Sequence, residues 1–152
     1  RSFLMKEKEI QKLLCYHPYL LDLTFAEPGA MEVVVTTGRL DIALKTSSGL
    51  VIVEVKKKPL KNAHIEQILR YLRELDESGI VATCGFLVGQ YPIKSLSPEL
   101  LELDSRITIK YLIKDIPLYL SMCEEGHYFD HELNRCPICN CRPRQGGDLL
   151  LR

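Results

Sequence analysis

The chain has 152 residues, 46% of them apolar and 26% charged, with a formal net charge of zero. That length and composition suit one ordinary globular domain with room for a small appendage, and they exclude an intrinsically disordered chain. No apolar run approaches the roughly 18 residues that cross a bilayer, and the N-terminus mixes charges with hydrophobes, unlike a signal peptide.

In chain order, Ile10, Leu13 and Leu14 recur at helical spacing, which predicts a helix packed by one face and ending near His17, before Pro18. "MEVVVTTGRLDIAL" and "LVIVEVK" are β-branched and strand-like, joined by the turn residues of "KTSSG". After Pro59, Ile65, Ile68, Tyr71 or Leu72 and Leu75 mark a second helix, for which Asn62 is the expected N-cap. "CGFLVGQ" reads as a buried strand, "SPELLELD" as a short helix with Ser97 at its N-cap and Pro98 at its first position, and "ITIKYLI" as another strand. The order of helix, two or three strands, helix, strand, helix and strand predicts an α/β fold, a mixed β-sheet flanked by helices.

Two acids interrupt these strands. Successive strand residues alternate faces, so Glu54 and Lys56 point the same way, and an antiparallel hairpin brings Asp41 alongside Glu54. Carboxylates that close repel each other unless a cation lies between them. Hard oxygen ligands suit Mg²⁺ or Mn²⁺, which lowers the pKa of a bound water and offsets charge on a phosphoryl oxygen. Lys56 then serves as a point charge at the reacting phosphate. A solvated strand face with a surface ion pair would leave the same short pattern.

"GRLD", twelve residues, "EVK" and then a helix carrying "QILRY" resemble the PD-(D/E)XK, or restriction endonuclease-like, nuclease superfamily. The branch most similar holds mismatch-type endonucleases and Mrr- or RecB-like domains. The resemblance covers about Glu7 to Ile113, in the right element order, with Leu40-Asp41 in place of the leading Pro-Asp. It implies a divalent-metal-dependent DNA endonuclease that hydrolyses phosphodiester bonds and leaves 5′-phosphate and 3′-hydroxyl ends. Asp41 and Glu54 would hold Mg²⁺ or Mn²⁺ with the Val55 carbonyl, and Lys56 would be the catalytic lysine. Gln67 and Tyr71, four apart on one helical face, match the Q-x-x-x-Y motif. Glu7 fits the acid of the first helix better than Glu9. The alternative keeps the fold without the chemistry, as a catalytically silent DNA- or protein-binding module. DNA is the expected partner, with a homodimer or further domains of a longer chain also open. The expected location is cytoplasmic, at the nucleoid if the protein acts on DNA.

Between Arg39 and Arg73, eight basic residues stand against Asp41, Glu54 and Glu66. Arg39, Lys57, Lys58 and Lys61 are the candidate phosphate contacts among them.

Cys15 and Cys84 stand alone, whereas Cys123-x3-His127, eight residues and Cys136-x2-Cys139 form paired metal-ligand spacings near the other end. Zinc takes four such ligands in a tetrahedron, and the pattern is similar to a zinc-ribbon knuckle. His131 is an alternative to His127, and Cys141 to one of the cysteines. Four ligands with no open position make a structural zinc. The expected organisation is a nuclease-like domain over 1–120, a zinc knuckle over 121–143 and a tail over 144–152. The chain opens on Arg1 rather than Met, as a fragment or a tagged protein does.

Overall fold

A computed structural model describes residues 6–117 and 119–150. Helix α1 (Glu7–Tyr16) leads through a 3-10 turn at Pro18–Leu20 to β1 (Ala30–Val35), β2 (Gly38–Thr46) and β3 (Gly49–Pro59). Helix α2 (Asn62–Glu77) crosses to β4 (Ala82–Gln90), and the short α3 (Pro98–Glu102) precedes β5 (Ile107–Tyr111). These five strands form one sheet in sequence order. The β1–β2 and β2–β3 pairs are antiparallel, and the β3–β4 and β4–β5 pairs are parallel. Three further strands, β6 (Tyr119–Met122), β7 (Tyr128–Asp130) and β8 (Leu149–Leu150), make a second sheet in the order β7-β6-β8. The expected mixed sheet flanked by helices is the observed one.

Alternation along β3 explains why helices cover both faces. Val51, Val53 and Val55 pack with Ile10, Leu13 and Leu14 of α1, while Ile52 packs with Ile65, Ile68 and Leu72 of α2. Burying each of these aliphatic side chains contributes about 1.5–3 kcal/mol. At Gly85 an added Cβ would lie 3.0 Å from Ile68 Cδ1, so the missing side chain lets α2 approach β4 closely. Among the described residues no helix is long and apolar enough to cross a membrane.

The helix ends differ in part from expectation. Ser97 caps α3, its Oγ accepting the Leu100 N–H at 3.3 Å. The N-cap of α2 is Lys61 rather than Asn62. The Asn62 Oδ1 instead accepts the Ser97 N–H at 2.8 Å, and the Lys61 N–H is satisfied by His64 Nδ1 at 3.0 Å. The Asn62 side chain thus ties the start of α2 to the start of α3.

Candidate active site and candidate metal centre

The β2–β3 ladder runs from Thr46↔Gly49 to Ile42↔Val53 and stops one residue short of Asp41 and Glu54. There the two carboxylates take over the bonding. The Asp41 N–H donates to Glu54 Oε2 at 2.8 Å, and the Val55 N–H donates to Asp41 Oδ2 at 2.8 Å. Side-chain oxygens thereby serve as acceptors for backbone N–H donors where the ladder ends.

The neighbouring strand deforms at the same level. Met31 and Ile42 pack in the α1 layer, whereas Val33 and Leu40, two residues along their strands, pack in the α2 layer. Between Met31 and Val33, Glu32 adopts a left-handed backbone with φ 53. That conformation costs a non-glycine residue about 1–2 kcal/mol. Glu32 forms an ion pair with Lys8 of α1.

Glu54 is 1% exposed. Burial, then the negative charge of Asp41, push its carboxyl up to about 8, against the partial relief of the Asp41 N–H and the Lys56 charge. The Asp41 carboxyl is also raised, chiefly by burial and further by the charges of Glu7 and Glu32. Both acids therefore hold their protons more tightly than a solvated carboxyl does.

Glu7, at the start of α1, reaches the same place, its Oε1 accepting the Lys57 N–H at 2.8 Å. Glu9 turns back instead and accepts the Lys6 N–H at 3.2 Å. Lys56 is half-buried and follows Glu54 on the same face of β3. On α2, Gln67 Nε2 lies 3.5 Å from Tyr71 Oη, and Tyr71 is 3% exposed in the α2 layer. The tight β1–β2 turn reaches this tyrosine, since a Cβ at Gly38 would lie 2.7 Å from Tyr71 Oη. Lys57 is half-buried, whereas Lys58, Lys61 and Arg39 are exposed. The three lysines run on from Lys56 at the end of β3, and Arg39 precedes Asp41 on β2.

Two residues beyond the expected set belong to this surrounding. Glu32 acts on Asp41 through its charge; the strand pattern "MEVVV" carried the signal, as a lone acid on the strand next to Asp41. Burial and then the Lys56 and Lys61 charges lower the pKa of His64. Its place beside Lys56 follows from capping α2, which no linear pattern announces.

A second cluster lies at the other end of the chain. One ligand atom each from Cys123, His127, Cys136 and Cys139 fall within 4.8 Å of one another. Cys123 Sγ is 3.6 Å from Cys139 Sγ, and His127 Nδ1 is 3.5 Å from Cys123 Sγ and 3.7 Å from Cys136 Sγ. These donors could hold a metal ion. The alternatives from the sequence fall outside the group. His131 is turned away, its Nδ1 2.8 Å from Ser121 Oγ and its ring stacked on Tyr119. Cys141 Sγ contacts the Cys139 carbonyl oxygen at 3.8 Å. Phe129 is 2% exposed and packs with Cys123 and Cys136.

The sheet, its two helical layers and the parting of its central hairpin define a restriction-endonuclease-like fold. Residues 6–116 match the Endonuclease NucS C-terminal domain family, and the chain belongs to that family. The structure is similar to that of an EndoMS–dsDNA complex, with a TM-score of 0.59 and 22% identity over 70% of this chain and 44% of that one. It is also similar to a repair endonuclease from Pyrococcus abyssi, with a TM-score of 0.61 and 21% identity over 74% of this chain and 49% of that one. The chain therefore spans less than half the length of either solved relative. No curated protein matches it.

Proposed function

We propose that the chain is the nuclease domain of a divalent-metal-dependent DNA endonuclease, acting at Asp41, Glu54 and Lys56. The observation that carries this reading is the pair of cross-bonded carboxylates at the parting of β2 and β3, one of them pushed up to about 8 by burial and its neighbour. A buried and a half-buried acid so close together fit a hard cation, and Mg²⁺ or Mn²⁺ is the class their oxygens select. Asp41 and Glu54 would hold it, with the Val55 carbonyl. Such an ion supplies a bound water of lowered pKa and charge stabilisation at the phosphate.

The chain's own groups do the rest. Glu54 gives up its proton when the cation binds, so binding tightens as pH rises toward about 8. Lys56 places a positive charge beside the phosphoryl oxygens as negative charge develops there. Gln67 and Tyr71 orient the reacting end of the site from α2, and Glu7 fixes the end of β3 through the Lys57 N–H. Arg39, Lys57, Lys58 and Lys61 take the DNA backbone on either side. The family and the EndoMS–dsDNA likeness support DNA as the substrate. At the other cluster, the soft donor set suits zinc in a structural role. The organisation proposed is a nuclease domain over 1–120, a zinc knuckle over 121–143 and a short tail.

The test is cleavage of supercoiled, mismatched, branched and single-stranded DNA with Mg²⁺ or Mn²⁺, beside Lys56→Ala. Metal-dependent cutting by the parent alone supports the reading. DNA binding of equal strength with and without metal, with no cutting by either protein, makes the domain a silent binding module.

A further inference from the structure

We propose that the Cys123, His127, Cys136 and Cys139 centre is a zinc clasp that locks the C-terminal three-stranded sheet onto the end of α1 through Tyr19. The proposal rests on reading that group as a zinc site and is independent of the nuclease chemistry. A tetrahedral zinc with its usual bond lengths separates two sulfurs by about 3.8 Å and a sulfur from a nitrogen by about 3.6 Å. The corresponding distances here are 3.6 Å for the Cys123–Cys139 pair and 3.5 and 3.7 Å from His127 Nδ1 to Cys123 and Cys136. Protein donors fill all four positions, so the ion has no open site for chemistry.

The surrounding bonds are those a thiolate centre needs. The His127 N–H donates to Cys123 Sγ at 3.4 Å, and the Ile138 N–H to Cys136 Sγ at 3.4 Å. Donors of this kind stabilise the deprotonated sulfur. Gly126, at φ 87, lets the chain turn between Cys123 and His127. Among the described residues, the buried cluster of the ligand segment, 123–141, holds Phe129 and two of the cysteines. That is too little apolar burial to order it without a further tie.

The tie to the rest of the molecule is Tyr19, in the turn that follows α1. Its Oη accepts the Tyr128 N–H at 2.6 Å and lies 2.7 Å from His17 Nδ1. Its ring meets the His127 ring edge-on at 5.4 Å, and the His17 ring meets Tyr128 at 5.0 Å. One zinc ligand and the residue after it therefore rest directly on the end of the first helix. Leu120, just before Cys123, is fully buried in the α1 layer.

The experiment uses the full chain. Elemental analysis is expected to find one zinc per molecule, lost in Cys136→Ser and kept in Cys141→Ser. Tyr19→Phe keeps the ring but leaves the Tyr128 N–H without its acceptor, so chelator competition should show zinc held roughly tenfold more weakly. Removing zinc should speed hydrogen exchange both in 119–130 and in 17–21. A folded parent without zinc overturns the site and the clasp together. Zinc bound as tightly by Tyr19→Phe, with faster exchange confined to 123–141, overturns the clasp and leaves the zinc. Because the parent and Tyr19→Phe decide the matter, an unfolded Cys136→Ser does not obscure it.

Discussion

Glu54→Gln should make the metal-free protein more stable at alkaline pH while removing its reactive carboxylate. In the folded chain Glu54 keeps its proton up to about 8, whereas a solvated glutamate releases it near 4.5. Between these values the folded state binds one more proton than the unfolded state, so stability falls as pH rises through that window. The window spans about 3.5 pH units at about 1.36 kcal/mol each, which sets a ceiling of roughly 5 kcal/mol, fully lost above about pH 8. Glutamine has no proton to lose and can still accept the Asp41 N–H. Urea unfolding followed by circular dichroism from pH 5 to 9, in buffer with zinc but no Mg²⁺ or Mn²⁺, should show two curves. They should meet near pH 5 and separate by several kcal/mol at pH 8.5, with the variant more stable. Adding Mn²⁺ should raise the parent curve at pH 8 and leave the variant unmoved, since the cation replaces the lost proton. Parallel curves would refute the idea that Glu54 is held protonated by its surroundings.

Lys56→Ala should slow metal-dependent cleavage of plasmid DNA by at least about 100-fold while changing DNA affinity little, because a charge aimed at the transition state is lost. Gly38→Ala should cost about 1–3 kcal/mol in urea unfolding, since its Cβ would lie 2.7 Å from Tyr71 Oη at a backbone φ of 156. Tyr71→Phe in the same chain should return part of that loss, because the hydroxyl is the clashing group. Ile68→Ala should cost about 2–5 kcal/mol, as this fully buried residue packs α2 on β4 beside Gly85.

The central sheet and both main helices were legible because their patterns are long. Val51, Val53 and Val55 alternate with Ile52 and Glu54 on a strand of 11 residues, and α2 repeats its apolar positions over 16. Glu7 accepts the Lys57 N–H and Glu9 the Lys6 N–H; both are exposed at the start of α1, so helical spacing alone could not tell them apart. The strands β6, β7 and β8 hold four, three and two residues, too few for period two to stand out. Asn62 looked like a cap because its side chain is a good acceptor, but α3 had the stronger claim on it. The kink at Glu32 was illegible for another reason. It arises where two strands change face together, and no single strand's pattern contains that event.

The parting hairpin has a physical explanation. A regular ladder through Asp41 and Glu54 would leave a buried and a half-buried carboxylate side by side with their charges unrelieved. Instead the ladder ends, each acid accepts a backbone N–H from the opposite strand, and Glu54 holds a proton. The metal-free site is thus kept intact by a proton and two hydrogen bonds, all of which favour separated strands. If the proposed divalent cation displaced that proton, it would meet carboxylates already oriented by the backbone, and little rearrangement would oppose it. On the proposed reading, the raised carboxyl pKa values are a cost of folding that cation binding would recover. On the proposed reading, the features that end the ladder would also prepare it to hold a metal.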